Sequence, residues 1–253
     1  LLQKATHPLI IVTPHASLDA VSTAVALALF FEKIGKKATL AGDTLTKDLE
    51  SLAILDKPEN IRESITASRD FVLAFNTEYN NIVSIKSERL PKEFRIYLTP
   101  EKGTIDPRDF SFIPAQFIFD LAIVLGAHDK EHCGKIYESD PDIFFEMPVV
   151  NIDNQPANEN FGQFNAIDLK ASSLAEIVAD LFLASKAGAL PDVMALPLLT
   201  GIIAATDSFQ KKNTTPKSLQ LASVLMQMGA DQQRIIRSLY KTQPLHLIKL
   251  WGK

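Results

Sequence analysis

The sequence predicts an α/β fold: a parallel sheet flanked by helices, with a small antiparallel hairpin insertion and a helical C-terminal part. Three observations predict it. Short apolar runs at 8–13, 37–41, 71–75, 117–125 and 148–152 recur with helical or polar stretches between them, the rhythm of parallel strands joined by right-handed crossovers. Residues 81–100 instead alternate apolar and polar around a charged middle. From residue 172 onward the apolar positions recur at helical spacing.

Taken in order, PLIIVT at 8–13 is a β-branched run that reads as a buried parallel strand. Ser17 or Asp19 then caps a helix to about Ile34, with Gly35 as its stop. Strands follow at 37–41 and 71–75. Two runs, 82–85 and 94–98, flank the polar segment 86–92 and predict a hairpin. FIFDLAIVL at 117–125 reads as one buried strand, followed by a helix from about Asp129. The strand 148–152 leads to Asp153.

The remainder reads as helical. Ser172 or Ser173 caps a helix to about Ser185, with Gly188 as its stop. Helices follow over 191–206 and 217–228, then one capped by Asp231 and reaching about Tyr240. Residues 244–251 read as the start of a last helix. With no repeat and no low-complexity linker, 1–253 reads as a single domain with the hairpin inserted at 81–100 and a helical part over 191–253.

Composition narrows the function classes. The 253 residues are 46% hydrophobic and 22% charged, an ordinary globular balance. A net charge of −4 gives no basic field to draw nucleic acid or anionic membrane. Cys133 is the only cysteine, which excludes an intrachain disulfide and a Cys-based zinc site and fits a reducing, cytoplasmic setting. No apolar run reaches the roughly 20 residues of a membrane span. No leader of basic, apolar and small residues opens the sequence, and the start at Leu1 reads as that of a trimmed chain.

In an open parallel sheet, ligands sit in the crevice outside the strand C-termini. Candidate site residues therefore follow Val12, Leu125 and Ile152. The densest chemistry lies in VVNIDNQP at 149–156, where an apolar run ends on an acid, two carboxamides and a proline.

Three stretches together resemble the DHH phosphoesterase superfamily. IIVTPHASLDAVSTAVALAL at 10–29 is similar to the family's opening strand, loop and helix. Residues 149–178 are like its Asp-His-His region, including the later Ala-Ser-Ser and Glu. TGIIAATDSFQKKNTTP at 200–216 looks like its Thr-Gly-Ile, Ser-Phe and Asn-Thr-Thr-Pro segment. The resemblance implies a Rossmann-like sheet and two divalent metals, usually manganese, that clamp attacking and leaving oxygens in phosphodiester or phosphate hydrolysis. It also implies homodimers and a second domain with a Gly-rich basic motif. Nothing here resembles that motif, although Leu250-Trp251-Gly252 looks like the connector before it.

The same carry-over implies lost metal ligands. The family's first histidine falls on Thr13 and its first aspartate on Ser17, while the second aspartate is kept as Asp19. The next aspartate falls on Gly126. Asp153 is kept, but the two histidines become Asn154 and Gln155. The last aspartate falls on Ala205. Neutral carboxamides bind cations poorly, and two carboxylates do not readily hold two divalent cations against their hydration.

Each position also has a plain structural reading. Asp153 can hold its loop through Asx-type hydrogen bonds. Asp19 gains about 0.3–1 kcal/mol from the helix dipole whatever its role. Thr13 and Ser17 offer hydroxyls to a phosphate at a helix N-terminus. Glu176 reads as a capping-box partner of Ser173 or Ser172, Phe209 as core, and Cys133 and His132 as ordinary helix residues. His7 and His246 read as solvent-facing. Lys211, Lys212 and Lys217 read as a solvated face that also resembles a phosphate-contacting loop. Trp251 packs either on this domain or on a further one.

Two function classes follow. The leading expectation is a degenerate phosphoesterase domain that binds a nucleotide or phosphate ligand, or regulates or assembles, without metal-dependent hydrolysis and without a cofactor. The alternative is a hydrolase of small phosphodiesters or short oligonucleotides. It would use Mn2+ or Mg2+ at a relocated site of His15, Asp19, His128, Asp153 and Asp207, with Asp129 adjacent. A third role, as a subunit interface, follows from the implied homodimer.

Overall fold

The computed structural model describes residues 2, 4–65, 69–78, 80–185 and 189–240. The expected helix at 244–251, the stop at Gly188, and His246, Leu250, Trp251 and Gly252 lie outside the described residues. The chain divides into two compact units, one of 1–68 with 119–253 and one of 69–118.

The first unit opens with β1 (Pro8–Val12), wholly buried. Helix α1 (Leu18–Lys33) follows, capped by Ser17, whose Oγ accepts the Ala20 N–H at 3.1 Å. Gly35, at φ +75°, ends it; its N–H reaches the Glu32 carbonyl and the Lys36 N–H that of Phe31, a left-handed turn that glycine adopts without steric cost. Twelve of the sixteen α1 residues are buried, because the Ala-rich helix is covered by more than one layer. Then come β2 (Thr39–Ala41), α2 (Leu45–Glu50) and β3 (Ile61–Arg62).

The second unit holds two antiparallel pairs. Strand β4 (Arg69–Phe75) pairs with β7 (Phe110–Phe117), and β5 (Ile82–Arg89) pairs with β6 (Phe94–Pro100). The β5–β6 pair is the hairpin expected at 81–100, set within a longer inserted unit. The run at 71–75 does not join the parallel sheet as expected. It is bound to 110–113 instead, and Val72 and Leu73 are exposed. A short apolar run fixes neither its partner nor its sheet.

Back in the first unit, β8 (Leu121–Leu125) is completely buried. The strand expected over 117–125 is thus two strands broken at Asp120. The Asp120 carboxylate accepts N–H bonds from Thr6 at 2.6 Å and His7 at 3.0 Å and the Thr6 hydroxyl at 2.8 Å, stapling the start of β8 to the start of β1. The short helices α3 (Lys135–Ser139) and α4 (Ile143–Glu146) lead to β9 (Val149–Asp153), and β10 (Phe164–Ile167) follows a helix-free loop. Helices α5 (Leu174–Leu183), α6 (Ala195–Thr206), α7 (Pro216–Gln227) and α8 (Gln232–Tyr240) complete the unit. The two expected caps form, Ser173 accepting the Glu176 N–H and Asp231 the Arg234 N–H, and Thr215 and Ser218 add a capping box at α7 that the sequence reading did not name.

The sheet order is β10-β9-β8-β1-β2-β3, with all pairs parallel. From β1 the chain moves outward to β2, whereas β8 lies on β1's other side and leads outward to β9. The direction of winding therefore reverses between β1 and β8, which opens a crevice at their C-terminal ends.

Candidate active-site cleft

A cleft of about 230 Å³ occupies that crevice. It is lined by Thr13, His15, Ser17, Asp19 and Ala20 from the β1–α1 segment and by Gly126 after β8. Asp153, Asn154 and Gln155 after β9 and Leu174 of α5 complete it. Seven of the eight family-site positions named from the sequence thus come together. Ala205 does not line the cleft; its carbonyl accepts a 3.4 Å bond from Asn213 Nδ2.

Asp19 is only 6% exposed and is engaged within the fold. Its Oδ2 accepts the Leu174 N–H at 2.7 Å, and its Oδ1 accepts the Ala175 N–H at 3.2 Å and the Thr23 hydroxyl at 3.3 Å. One carboxylate therefore caps the start of α5 from across the core. Burial pushes its carboxyl up to about 6, against the lowering effect of the Leu174 and Ala175 amides and the Thr23 hydroxyl.

Asp153 is fully buried. Its Oδ1 accepts the Asn154 N–H at 2.8 Å, and its Oδ2 accepts Asn158 Nδ2 at 2.9 Å. Asn158 Nδ2 also donates to the Ala127 carbonyl at 2.9 Å, and its Oδ1 accepts Asn151 Nδ2 at 2.8 Å. Asn154 donates through Nδ2 to the Ala171 carbonyl at 3.2 Å. This asparagine network ties the β8 and β9 loops together. Sequence reasoning missed Asn151 and Asn158; the one available signal was a polar residue inside the apolar run before Asp153.

Gly126 stands at φ +70°, and a Cβ there would lie 3.3 Å from Leu174 Cδ1. The position in which the family has an aspartate thus has a backbone that suits glycine. His15, exposed at φ 55°, follows Pro14 in a turn closed by the Ala16 N–H to the Thr13 carbonyl at 3.1 Å.

Of the five residues of the relocated metal site, His15, Asp19 and Asp153 line the cleft, whereas His128 and Asp207 do not. Among the described residues, the ligand atoms that cluster are those of His128, Asp129 and His132. Asp207 is exposed at the C-terminus of α6, at φ 49°. Glu176 serves α5: its Oε2 accepts the Ser172 N–H and hydroxyl at 3.0 and 2.6 Å. Lys211 and Lys212 are exposed, Lys217 pairs with Asp180, Phe209 packs half-buried against the core, and His7 is exposed. Cys133 is buried at the end of a single 3-10 turn, not in an α-helix, and His132 beside it is bonded to Asp129.

No family model matches the chain. It is 32% identical over 106 residues to the bifunctional oligoribonuclease and PAP phosphatase NrnA of Bacillus subtilis, covering 41% of this chain and 34% of that protein. It is 35% identical over 105 residues to the protein of that name from Thermus thermophilus, covering 42% and 32%. The chain is related to the DHH phosphoesterase superfamily. The fold of this DHH relative is also that of an exopolyphosphatase-related protein from Bacteroides fragilis, with a TM-score of 0.63 at 13% identity over 99% of this chain and 61% of that one. The matches span about a third of the length of the two curated NrnA relatives.

The residues of the cleft do not fit two divalent cations. Two carboxylates face it, and both have their oxygens taken by backbone or asparagine donors. The other positions at which the resemblance places ligands bear a hydroxyl, a carboxamide, a methyl or a hydrogen.

Proposed function

We propose that the cleft binds a phosphate-bearing small molecule, a nucleotide in the first instance, without metal-dependent hydrolysis. The chain then acts as a binding, regulatory or assembly module, as a cytoplasmic homodimer. One observation carries this reading: Asp19 and Asp153, the two carboxylates of the cleft, are both consumed by bonds that hold the fold together. A cation would have to share oxygens that already accept these donors, and two such carboxylates are few ligands for two hydrated divalent ions. Thr13 and Ser17, at the mouth of α1, supply hydroxyls beside a helix N-terminus, which favours an anion. Asn154 and Gln155 add amide groups that bind but do not titrate. The lone buried thiol of Cys133 suits a reducing compartment.

A second reading, a Mn2+-dependent phosphoesterase acting on small phosphodiesters or short oligonucleotides, is favoured by the activities in the relatives' names. One experiment separates the two. Metal-stripped protein is titrated with adenine nucleotides and inorganic phosphate, with and without Mn2+, while phosphate release is followed. The proposal expects micromolar binding that needs no metal, is weakened in Thr13→Val/Ser17→Ala, and yields no turnover. Mn2+-dependent turnover supports the hydrolase instead, and absence of binding by every nucleotide sinks the proposal. Sedimentation at varied concentration checks the homodimer.

A further inference from the structure

Outside the cleft, the sequence His128-Asp129-Lys130-Glu131-His132 brings three ligating groups to one point. One atom each from His128, Asp129 and His132 lie within 4.8 Å of one another. His132 Nδ1 is 2.6 Å from Asp129 Oδ1, and His128 Nε2 is 3.4 Å from Asp129 Oδ2. The two imidazoles stand 3.3 Å apart between centroids, tilted by 50°. Two imidazoles and one carboxylate aimed at a shared point form the donor set of a borderline-soft divalent cation. A tetrahedral zinc with bonds of about 2.0–2.1 Å needs its ligand atoms roughly 3.4 Å apart; His128 Nε2 and Asp129 Oδ2 stand at that spacing, and the 2.6 Å contact of His132 Nδ1 with Asp129 Oδ1 would open on binding.

The surroundings hold the cluster in place. The His128 carbonyl accepts the Glu159 N–H at 2.8 Å, and Asp129 Oδ1 accepts the His132 N–H at 2.8 Å. The turn after His132 is clamped at Gly134, where a Cβ would lie 2.5 Å from Pro14 and 2.8 Å from Asp43. Partial exposure of all three side chains, 37%, 18% and 50%, leaves room for a water as fourth ligand.

We propose that His128, Asp129 and His132 form a three-ligand site for a divalent transition metal, Zn2+ in the first instance, separate from the cleft. Calorimetry of metal-stripped protein is expected to show one equivalent of Zn2+ bound at micromolar or tighter affinity, with Mg2+ not competing. His132→Ala and Asp129→Asn each weaken it by about 100-fold or more, while the cleft variant Thr13→Val retains it. Co2+ in the wild-type protein, which needs no variant to fold, gives visible ligand-field bands without the thiolate charge-transfer band that Cys133 ligation would add. No Zn2+ binding up to millimolar, binding that survives both site variants, binding lost only in the cleft variant, or a thiolate band each overturns the proposal.

Discussion

A Cβ on Gly201 would lie 2.8 Å from Asp19 Oδ1 and 2.9 Å from Ala175 Cβ. Helix α6 thus lies against the start of α1 and of α5 at a point where only a hydrogen fits. In an exposed helix interior, Gly→Ala stabilises by about 1 kcal/mol. Here the sign reverses. Gly201→Ala forces Asp19 off the α5 amides or pushes the helices apart, and overpacking of this kind costs about 1–3 kcal/mol. Urea unfolding measures it, and a variant as stable as wild type would contradict this packing.

Asp19 gives the protein a pH signature. Its carboxyl, raised from 3.8 to about 6 by burial, binds its proton more tightly folded than unfolded. The stability this proton contributes is present below about pH 4 and lost as pH rises through about 6. The full effect is on the order of 3 kcal/mol. Thermal melts of wild type and Asp19→Asn between pH 3.5 and 7.5 check it. The difference between their melting temperatures should change across that window and level off above it. Asn cannot accept both α5 amides, so the variant should also be less stable at pH 7.

Backbone strain marks His15. A non-glycine residue at φ 55° costs about 1–2 kcal/mol relative to glycine, and this one borders the cleft. His15→Gly should raise stability by up to about 1 kcal/mol while weakening any ligand that touches the ring. Denaturant melts and nucleotide binding on the same variant separate the two effects. A loss of stability would show that the ring is anchored in the fold.

Much of this was readable from the sequence, and the exceptions have physical causes. Strands β1, β8 and β9 are buried apolar runs that stop at Thr13, Gly126 and Asp153, so both the sheet centre and the cleft could be placed. Strand β3 has two residues and β10 is half-exposed FNAI, too short or too polar for a hydrophobic signature. The run 71–75 looked like a core strand because local pattern does not encode pairing. The α5 cap supplied by Asp19 spans 155 residues, a contact that no local pattern contains. His128, Asp129 and His132 were adjacent in the sequence, but His132 read as helix surface because the chain was expected to be helical from Asp129.

Placing histidines at positions 154 and 155 tests whether the cleft supports metal chemistry. Asn154→His/Gln155→His returns two imidazoles beside Asp153, yet Gly126 keeps a left-handed backbone, at φ +70°, that strains any carboxylate side chain placed there. Thr13, Ser17 and Ala205 remain without ligands, and Asp19 stays tied to α5. The double variant also forfeits the Asn154 bond to the Ala171 carbonyl, at a cost of about 1 kcal/mol. It should therefore fold with slightly lower stability and show no Mn2+-dependent release of phosphate from nucleotides or short oligonucleotides. Groups of a cooperative site act together, so two of several missing ligands return little. Turnover by this variant would mean that Asp19 and Asp153 release their internal partners readily, and that the cleft is one step from a working metal centre.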